Sequence, residues 1–329
     1  VTAPVAGALR FGVLGCADIA RRRVLPAMAA APDIELAAVA SRSPARAAET
    51  ARAHGARAVT GYERLLADPD VDALYIPLPA ALHATWVEAA LDAGKHVLAE
   101  KPLTTDPART RALLAEARRR RLVLRENVMF VHHGQHRAVR RMVADGVIGE
   151  LRALHAAFTI PSPADGDIRF DAELGGGALS DVGLYPVRAA VHLLGPGLRV
   201  AGAVLSDAAG RGVETSGAAL LRRADGVSAQ LTFGMDHAYR SRYELWGGEG
   251  RITVDRAFTP PAGHRPRIEV EDASGARTVE LPAEDQVAAT LAAFTAAVRD
   301  TDAAPAGEEL RDLLAQADLL AAIRRAAAA

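Results

Sequence analysis

A single cysteine, Cys16, is all the thiol chemistry in a chain of 329 residues. No internal disulfide can form, which suits a reducing, cytoplasmic compartment. Net charge is almost absent too, at −1 from 39 basic and 40 acidic side chains. Proteins that bind nucleic acid present a basic face, so this balance argues against such a partner. No apolar run reaches the ~18 residues of a membrane span, so no membrane partner is expected. The stretch 1–8 is a tail of small residues with neither a basic region nor a long apolar core, and it does not read as a signal peptide. Lysine is the scarcest charged residue. It occurs only at Lys95 and Lys101, in a chain that otherwise chooses arginine.

Hydrophobic residues, by contrast, make up half of the sequence. At this length two domains are expected, each able to bury a core. In the first part, strands at 9–14, 34–40, 57–59, 71–76, 95–99 and 122–127 alternate with helices ending near 30 and at 44–54, 61–66, 81–93 and 106–121. That alternation predicts an α/β Rossmann domain with a doubly wound parallel sheet. From residue 151 the runs lengthen, at 151–160, 200–206, 217–222, 227–234, 243–246 and 251–254. They predict an α+β domain with a large, mainly antiparallel sheet and a helix at 181–194. The expected domains are 1–128 for the first, joined by a C-terminal helix 308–329 that packs back on the body, and 129–307 for the second.

Three stretches carry chemistry. Gly15-Cys16-Ala17-Asp18-Ile19-Ala20 follows the first strand and opens a helix, the setting of a dinucleotide-binding turn. Only Gly15 is kept of the three glycines in that fingerprint, with Ala17 and Ala20 at the other two positions. The second strand ends in Ser41-Arg42, where a carboxylate would meet a free ribose 2′-hydroxyl. A hydroxyl and a guanidinium instead suit a 2′-phosphate, so NADP(H) is favoured over NAD(H). The strand at 95–99 ends in Glu100-Lys101-Pro102. Proline disfavours the helical region for Lys101 and so holds the lysine extended at the strand's carboxyl end, where ligands bind in open parallel sheets.

The remaining stretch, Gly175-Gly176-Gly177-Ala178-Leu179-Ser180-Asp181-Val182-Gly183-Leu184-Tyr185, puts glycines before an apolar helix. Asp181 and Tyr185 stand four apart, on one face of a regular α-helix. A loop at 255–261 carries Arg256 and Thr259, groups suited to phosphate or sugar oxygens. Three histidines fall within five residues, His132, His133 and His136, but no HExxH helix or cysteine partner accompanies them, so no metal is expected.

In this order the motifs, together with Tyr75-Ile76-Pro77-Leu78-Pro79 and His83, resemble the glucose-fructose oxidoreductase/inositol dehydrogenase family over essentially the whole chain. Within it, the stretches 167–170 and 255–261 resemble the sugar 3-ketoreductases of nucleotide-deoxysugar pathways. The resemblance implies an NADPH-dependent reduction, at C3, of a dTDP-3,4-diketo-2,6-dideoxyhexose in antibiotic sugar biosynthesis. It implies cofactor contacts from Gly15, Cys16, Ala17, Asp18, Ile19, Ser41, Arg42, Tyr62, Pro77, Leu78, His83, Glu100 and Lys101. Lys101 is the first choice for proton donor, Tyr185 would share or relay the proton, and Asp181 would orient sugar hydroxyls. Further substrate contacts would come from Arg21, Phe130, Arg169, Tyr239, Arg256 and Thr259. A homo-oligomer, dimer or tetramer, through the C-terminal sheet and a cis Lys101–Pro102 bond are also implied. Relatives often carry Asn at the position of Ala80, Pro at that of Gly134 and His at that of Tyr185. An NADP-dependent aldose or dihydrodiol dehydrogenase, and a non-catalytic NADP(H) sensor, remain alternatives.

Overall fold

The computed structural model describes residues 7–208, 210–300 and 307–328, so residues 1–6 of the small-residue tail lie outside it. The chain divides into two compact units. One runs to Asn127 and takes in a segment beginning at Val287; the other runs from Val128 to Gln286 and takes in a segment beginning at Glu308.

In the first unit, strands β1 (Leu9–Leu14), β2 (Ile34–Ser41), β3 (Arg57–Thr60), β4 (Ala73–Ile76), β5 (His96–Ala99) and β6 (Leu124–Glu126) form one sheet in the order β3-β2-β1-β4-β5-β6. Every pair is parallel. Helices α1 (Leu25–Ala30), α2 (Pro44–Ala53), α3 (Tyr62–Leu66), α4 (Ala80–Asp92) and α5 (Pro107–Arg120) make the crossovers. β4 and β5 are buried throughout, as the inner strands of a sheet covered on both faces must be. Helix starts follow their caps: the Ser43 side chain accepts from the Arg46 N–H, and Asp106 from the Ala108 N–H, each with proline in the first turn. Chain order reverses between β1 and β4, which sets a crevice at the carboxyl ends of these strands.

The second unit holds β7 (Leu151–Thr159), β8 (Arg199–Ser206), β9 (Ser216–Arg222), β10 (Ser228–Gly234), β11 (Arg240–Gly247), β12 (Gly250–Asp255), β13 (Arg267–Asp272) and β14 (Gly275–Glu280). They line up as β14-β13-β12-β11-β7-β10-β9-β8. Only β7 and β10 run parallel; all other neighbours are antiparallel. Burial alternates along β10, where Ala229, Leu231 and Phe233 face the core while Gln230 and Thr232 face out. Helices α6 (Gly134–Ala144) and α7 (Leu184–Leu194) also belong to this unit, and α7 packs on β7 and β10.

The division differs from the expected one at the C-terminal end. Helix α8 (Gln286–Arg299), not read from the sequence at all, belongs almost wholly to the first unit rather than to a domain 129–307. Phe294 meets Phe11 of β1 at 5.5 Å between ring centroids, and Arg299 donates to the Gly7 carbonyl. Helix α9 (Gly307–Ala327), expected with the first domain, packs instead on the second. Its Leu319 and Ile323 enter that unit's core, Gln316 accepts from Arg188, and Arg324 donates to Ser180. β13 and β14 also lie beyond the expected strands, the last of which is 251–254. β13 does alternate buried Ile268 and Val270 with charges, but β14 is almost entirely exposed.

Candidate active site

In the first unit the expected cofactor residues collect along the carboxyl ends of β1, β2, β4 and β5. Gly15 leaves β1 with φ of +115°, and its N–H donates to the Ala40 carbonyl at 2.9 Å. A side chain there would be strained by that φ and would meet Leu78 at 3.0 Å, so the turn requires glycine. Cys16 is buried, and its carbonyl accepts from the Arg46 guanidinium at 3.2 Å. Ala17 is half-buried, Ile19 is exposed, and the exposed Asp18 pairs with Arg21 and Arg22. Arg21 sits on a π-helical turn, Ala20–Val24, that leads into α1. Such turns are rare and recur at functional sites.

Ser41 ends β2 with its hydroxyl accepting from the Ser43 N–H at 3.2 Å, and Arg42 beside it is exposed. Tyr62, on the first turn of α3, packs edge-on against Trp86 at 4.9 Å. Burial raises the affinity of its phenol for the proton, and the nearby Arg42 guanidinium works in the opposite direction. No acid stands at the β2 end, and Ser41, Arg42 and Tyr62 present donors there instead. That donor set, with the glycine turn, fits a dinucleotide carrying a 2′-phosphate.

β5 delivers Glu100 and Lys101. Glu100 is 9% exposed, and its Oε1 accepts from the Tyr75 hydroxyl at 2.7 Å and from Asn127 Nδ2 at 2.6 Å. Its Oε2 lies 3.4 Å from the Lys101 backbone N–H, and the Lys101–Pro102 peptide is cis. Tyr75 and Asn127 were not singled out from the sequence. The signal for Tyr75 is a phenol inside an otherwise apolar strand, which must find a partner. His83 is placed differently from its expected role as a cofactor contact. It is 1% exposed and wedged between two carbonyls, Nδ1 at 2.7 Å from that of Pro102 and Nε2 at 2.7 Å from that of Leu78. The ring therefore fills the space between the Pro77–Leu78 lip and the chain just after Lys101, with a carbonyl oxygen against each nitrogen and one N–H to donate in the neutral form that burial favours.

In the second unit, Arg169 gathers the acids. Its Nε donates to Asp181 at 2.7 Å and its NH1 to Asp167 at 3.0 Å. The Asp181 carboxylate holds the guanidinium charged more firmly than usual. The backbone reason for the glycine run is contact: a Cβ at Gly176 would meet the Arg169 carbonyl at 2.5 Å, and one at Gly177 the Glu214 carboxylate at 2.5 Å. Asp181 lies on a second π-helical turn, Leu179–Gly183, and α7 begins only at Leu184. The expectation of one regular α-helical face for Asp181 and Tyr185 is therefore corrected, because their four-residue spacing straddles a change of pitch.

Tyr185 is half-buried in an aromatic cluster, 4.8 Å from Phe158, 5.9 Å from Phe258 and 6.1 Å from Phe130. Phe130, expected to touch substrate, is only 1% exposed and packs behind Tyr185 instead. Tyr239 is exposed, with its hydroxyl 3.3 Å from that of Thr259. Arg256 is exposed and adopts φ of +48°, a backbone region that non-glycine residues seldom occupy. Among the described residues no group of three or more His, Cys, Asp or Glu side chains could hold a metal ion, and no helix is long and apolar enough to cross a membrane.

Comparison with known proteins covers both units. A profile described as an oxidoreductase family with an NAD-binding Rossmann fold matches residues 9–128, and one described as a GFO/IDH/MocA C-terminal domain matches residues 136–253. The chain is 54% identical to the dTDP-3,4-didehydro-2,6-dideoxy-alpha-D-glucose 3-reductase of Streptomyces violaceoruber, over 97% of this chain and 96% of that protein. It superimposes with a TM-score of 0.94, at 50% identity, on a 3-ketoreductase from Actinomadura kijaniata crystallised with NADP and TDP-benzene, covering 97% of this chain and 98% of that one. A variant of that enzyme with a tyrosine changed to phenylalanine matches equally well, with a TM-score of 0.94 at 50% identity and the same coverage.

Proposed function

The chain belongs to the oxidoreductase family that joins an NAD-binding Rossmann fold to a GFO/IDH/MocA C-terminal domain, and we propose that it is an NADPH-dependent 3-ketoreductase of dTDP-linked keto-deoxysugars. The observation that carries this reading is likeness from end to end, at 54% identity, to a reductase whose name specifies that reaction. The substrate would be a dTDP-3,4-diketo-2,6-dideoxyhexose, and the setting antibiotic sugar biosynthesis in the cytoplasm.

When bound, NADPH supplies the hydride that reaches the C3 carbonyl carbon. Gly15 would give its pyrophosphate close access to the backbone, and Ser41, Arg42 and Tyr62 would hold the 2′-phosphate. Glu100, held by Tyr75 and Asn127, steadies the Lys101 backbone. Lys101 would deliver a proton to the carbonyl oxygen as it gains negative charge, and Tyr185 is the candidate to share or relay that proton. General-acid help of this kind is typically worth ~10²–10⁴-fold. Asp181, oriented by Arg169, aligns the sugar hydroxyls. Arg21, Arg169, Tyr239, Arg256 and Thr259 are the candidate contacts for the nucleotide diphosphate. A crystallised tyrosine-to-phenylalanine variant of the Actinomadura enzyme supports attention to a tyrosine in this chemistry.

The oligomer is proposed to form through the open face of the eight-stranded sheet. Val204 of β8, Leu220 of β9 and Trp246 of β11 are exposed large side chains on it. The test of function is NADPH oxidation on mixing the protein with the dTDP-linked diketo sugar, together with calorimetric titration of dTDP. Turnover with dTDP binding is expected. Absence of dTDP binding at millimolar concentration would sink the nucleotide-sugar reading in favour of an aldose or dihydrodiol dehydrogenase. NADPH binding without turnover across keto sugars would favour a sensor.

A further inference from the structure

The histidine-rich stretch has no part in the reaction as written, and its three rings serve different ends. His132 is half-buried, His133 caps α6 by accepting from the Gln135 N–H at 3.2 Å, and His136 is fully buried. His136 Nε2 lies 2.9 Å from the Ala257 carbonyl oxygen, and Nδ1 lies 3.0 Å from the Tyr243 hydroxyl. A carbonyl can only accept, so Nε2 carries the proton. Burial keeps the ring neutral, which leaves Nδ1 bare to accept from the Tyr243 O–H. The Ala257 carbonyl and the Tyr243 hydroxyl thus set the tautomer, with Gln135 Nε2 also 3.3 Å from His136 Nε2.

Gln135 Nε2 donates to the same Ala257 carbonyl at 3.0 Å. Two side-chain donors on one carbonyl lock the orientation of the peptide that joins Ala257 to Phe258. Ser241 holds the other side of the turn: its carbonyl accepts from the Ala257 N–H and its hydroxyl from the Phe258 N–H, each at 3.0 Å. Upstream of this peptide stands Arg256 in its left-handed conformation. Downstream, the buried Phe258 ring touches Tyr185 and lies 5.2 Å from Phe130, which itself meets the His136 ring edge-on at 5.1 Å. His136 therefore sits behind both the loop at 255–261 and the aromatic seat of Tyr185.

We propose that His136 is a positioning residue for the ketoreduction, fixing the Ala257–Phe258 turn and through it the place of the Tyr185 phenol. An apolar side chain of similar volume would fill the space, but it would take one of the two donors from the carbonyl, leaving Gln135 alone on it, and would remove the acceptor of the Tyr243 hydroxyl. The inference rests on the reading of Tyr185 as a partner in proton delivery.

The test uses the full chain with NADPH and the dTDP-linked keto sugar, and compares His136→Phe, His136→Gln, Tyr243→Phe and Tyr185→Phe. Small misplacements of reacting groups cost up to ~10²-fold, so His136→Phe is expected to lower kcat at saturating substrate by about 10–100-fold. NADPH affinity, a property of the other unit, should stay unchanged. His136→Gln keeps an N–H for the carbonyl and should recover most of the rate. A lower Tm with wild-type kcat in His136→Phe would overturn the proposal, since that is what a purely structural histidine predicts. Should His136→Phe fail to fold, Tyr243→Phe decides: a several-fold loss of kcat supports the proposal, and wild-type kcat overturns it. Tyr185→Phe separates the two levels. Wild-type kcat there removes the reading on which the proposal rests, whereas a slow Tyr185→Phe beside a normal His136→Phe overturns the positioning role alone.

Discussion

Lys101→Ala removes the ammonium while leaving the Glu100 carboxylate and its Tyr75 and Asn127 donors in place. The expected outcome is a fall in kcat of about 10²–10⁴-fold with NADPH affinity retained, read by steady-state kinetics beside a fluorescence titration of cofactor. Wild-type kcat would move the acid role to Tyr185 or water. Arg42→Ala tests cofactor choice. Hydrogen bonds to charged groups contribute ~1.5–3 kcal/mol, so the NADPH Kd should rise by about 10–100-fold while the NADH Kd changes little. Equal effects on both cofactors would show that Arg42 does not contact the 2′-phosphate. Gly15, Lys101 and Ser41 stand out in the sequence as the one glycine kept in a strand–turn–helix fingerprint, an ammonium before proline and a strand end without an acid. Tyr75, Asn127 and the burial of His83 are not legible, because Tyr75 and Asn127 meet Glu100, and His83 meets Pro102, 19 to 27 positions away, and only the fold brings them together.

At the scale of elements, the first position of α6 requires glycine for a reason of contact. The Gly134 N–H donates to Glu284 at 2.6 Å, and a Cβ at Gly134 would meet that carboxylate at 2.4 Å. Burial opposes ionisation of Glu284, but Arg137 and the Gly134 N–H outweigh it and hold the carboxyl below its ordinary value. Proline usually suits the start of a helix. Here Gly134→Pro should instead destabilise by about 1.5–3 kcal/mol through the lost charged hydrogen bond, measured by urea unfolding. Strand β5 carries a pH dependence at its start. Burial pushes the His96 ring down from 6.5 to about 4. Between those values the unfolded chain binds a proton that the folded chain does not. Stability is therefore complete above pH ~6.5, falls as pH drops toward ~4, and levels off below, by on the order of 3 kcal/mol. His96→Asn keeps an acceptor for the Val123 N–H that now bonds Nδ1 and should flatten this part of the profile in thermal melts. Elements with strong alternation were read correctly, β10 among them. Helix α8 was missed although Val287, Leu291, Phe294 and Val298 recur at helical spacing, all of them buried.

For the whole molecule, the division into units could not be read from a linear scan, because the chain returns to its first unit after completing most of its second. Pro282 and Asp285 before Val287, and Pro305 and Gly307 before Glu308, are turn signals in the sequence, but a turn signal does not say which unit the chain enters next. The proposed assembly is testable at this scale. Leu220→Arg with Trp246→Glu puts charges on the open sheet face, and sedimentation should show a dimer or tetramer dissociating to a smaller species. A wild-type protein that sediments as a monomer would end that proposal. The parallel β7–β10 pair and the seat of Phe294 on Phe11 both join parts far apart in sequence.

That last contact sets a timetable for biosynthesis. Phe294 is synthesised 283 residues (294 − 11) after Phe11, its ring partner. At ~5–20 residues per second, the interval is about 15–60 s. Throughout it, the β1 side that α8 will cover has no native partner, and a nascent chain with an open apolar face is a client for chaperones. A fragment terminated at residue 128 would keep that face open permanently, so aggregation is the expected fate of a separately expressed dinucleotide-binding half.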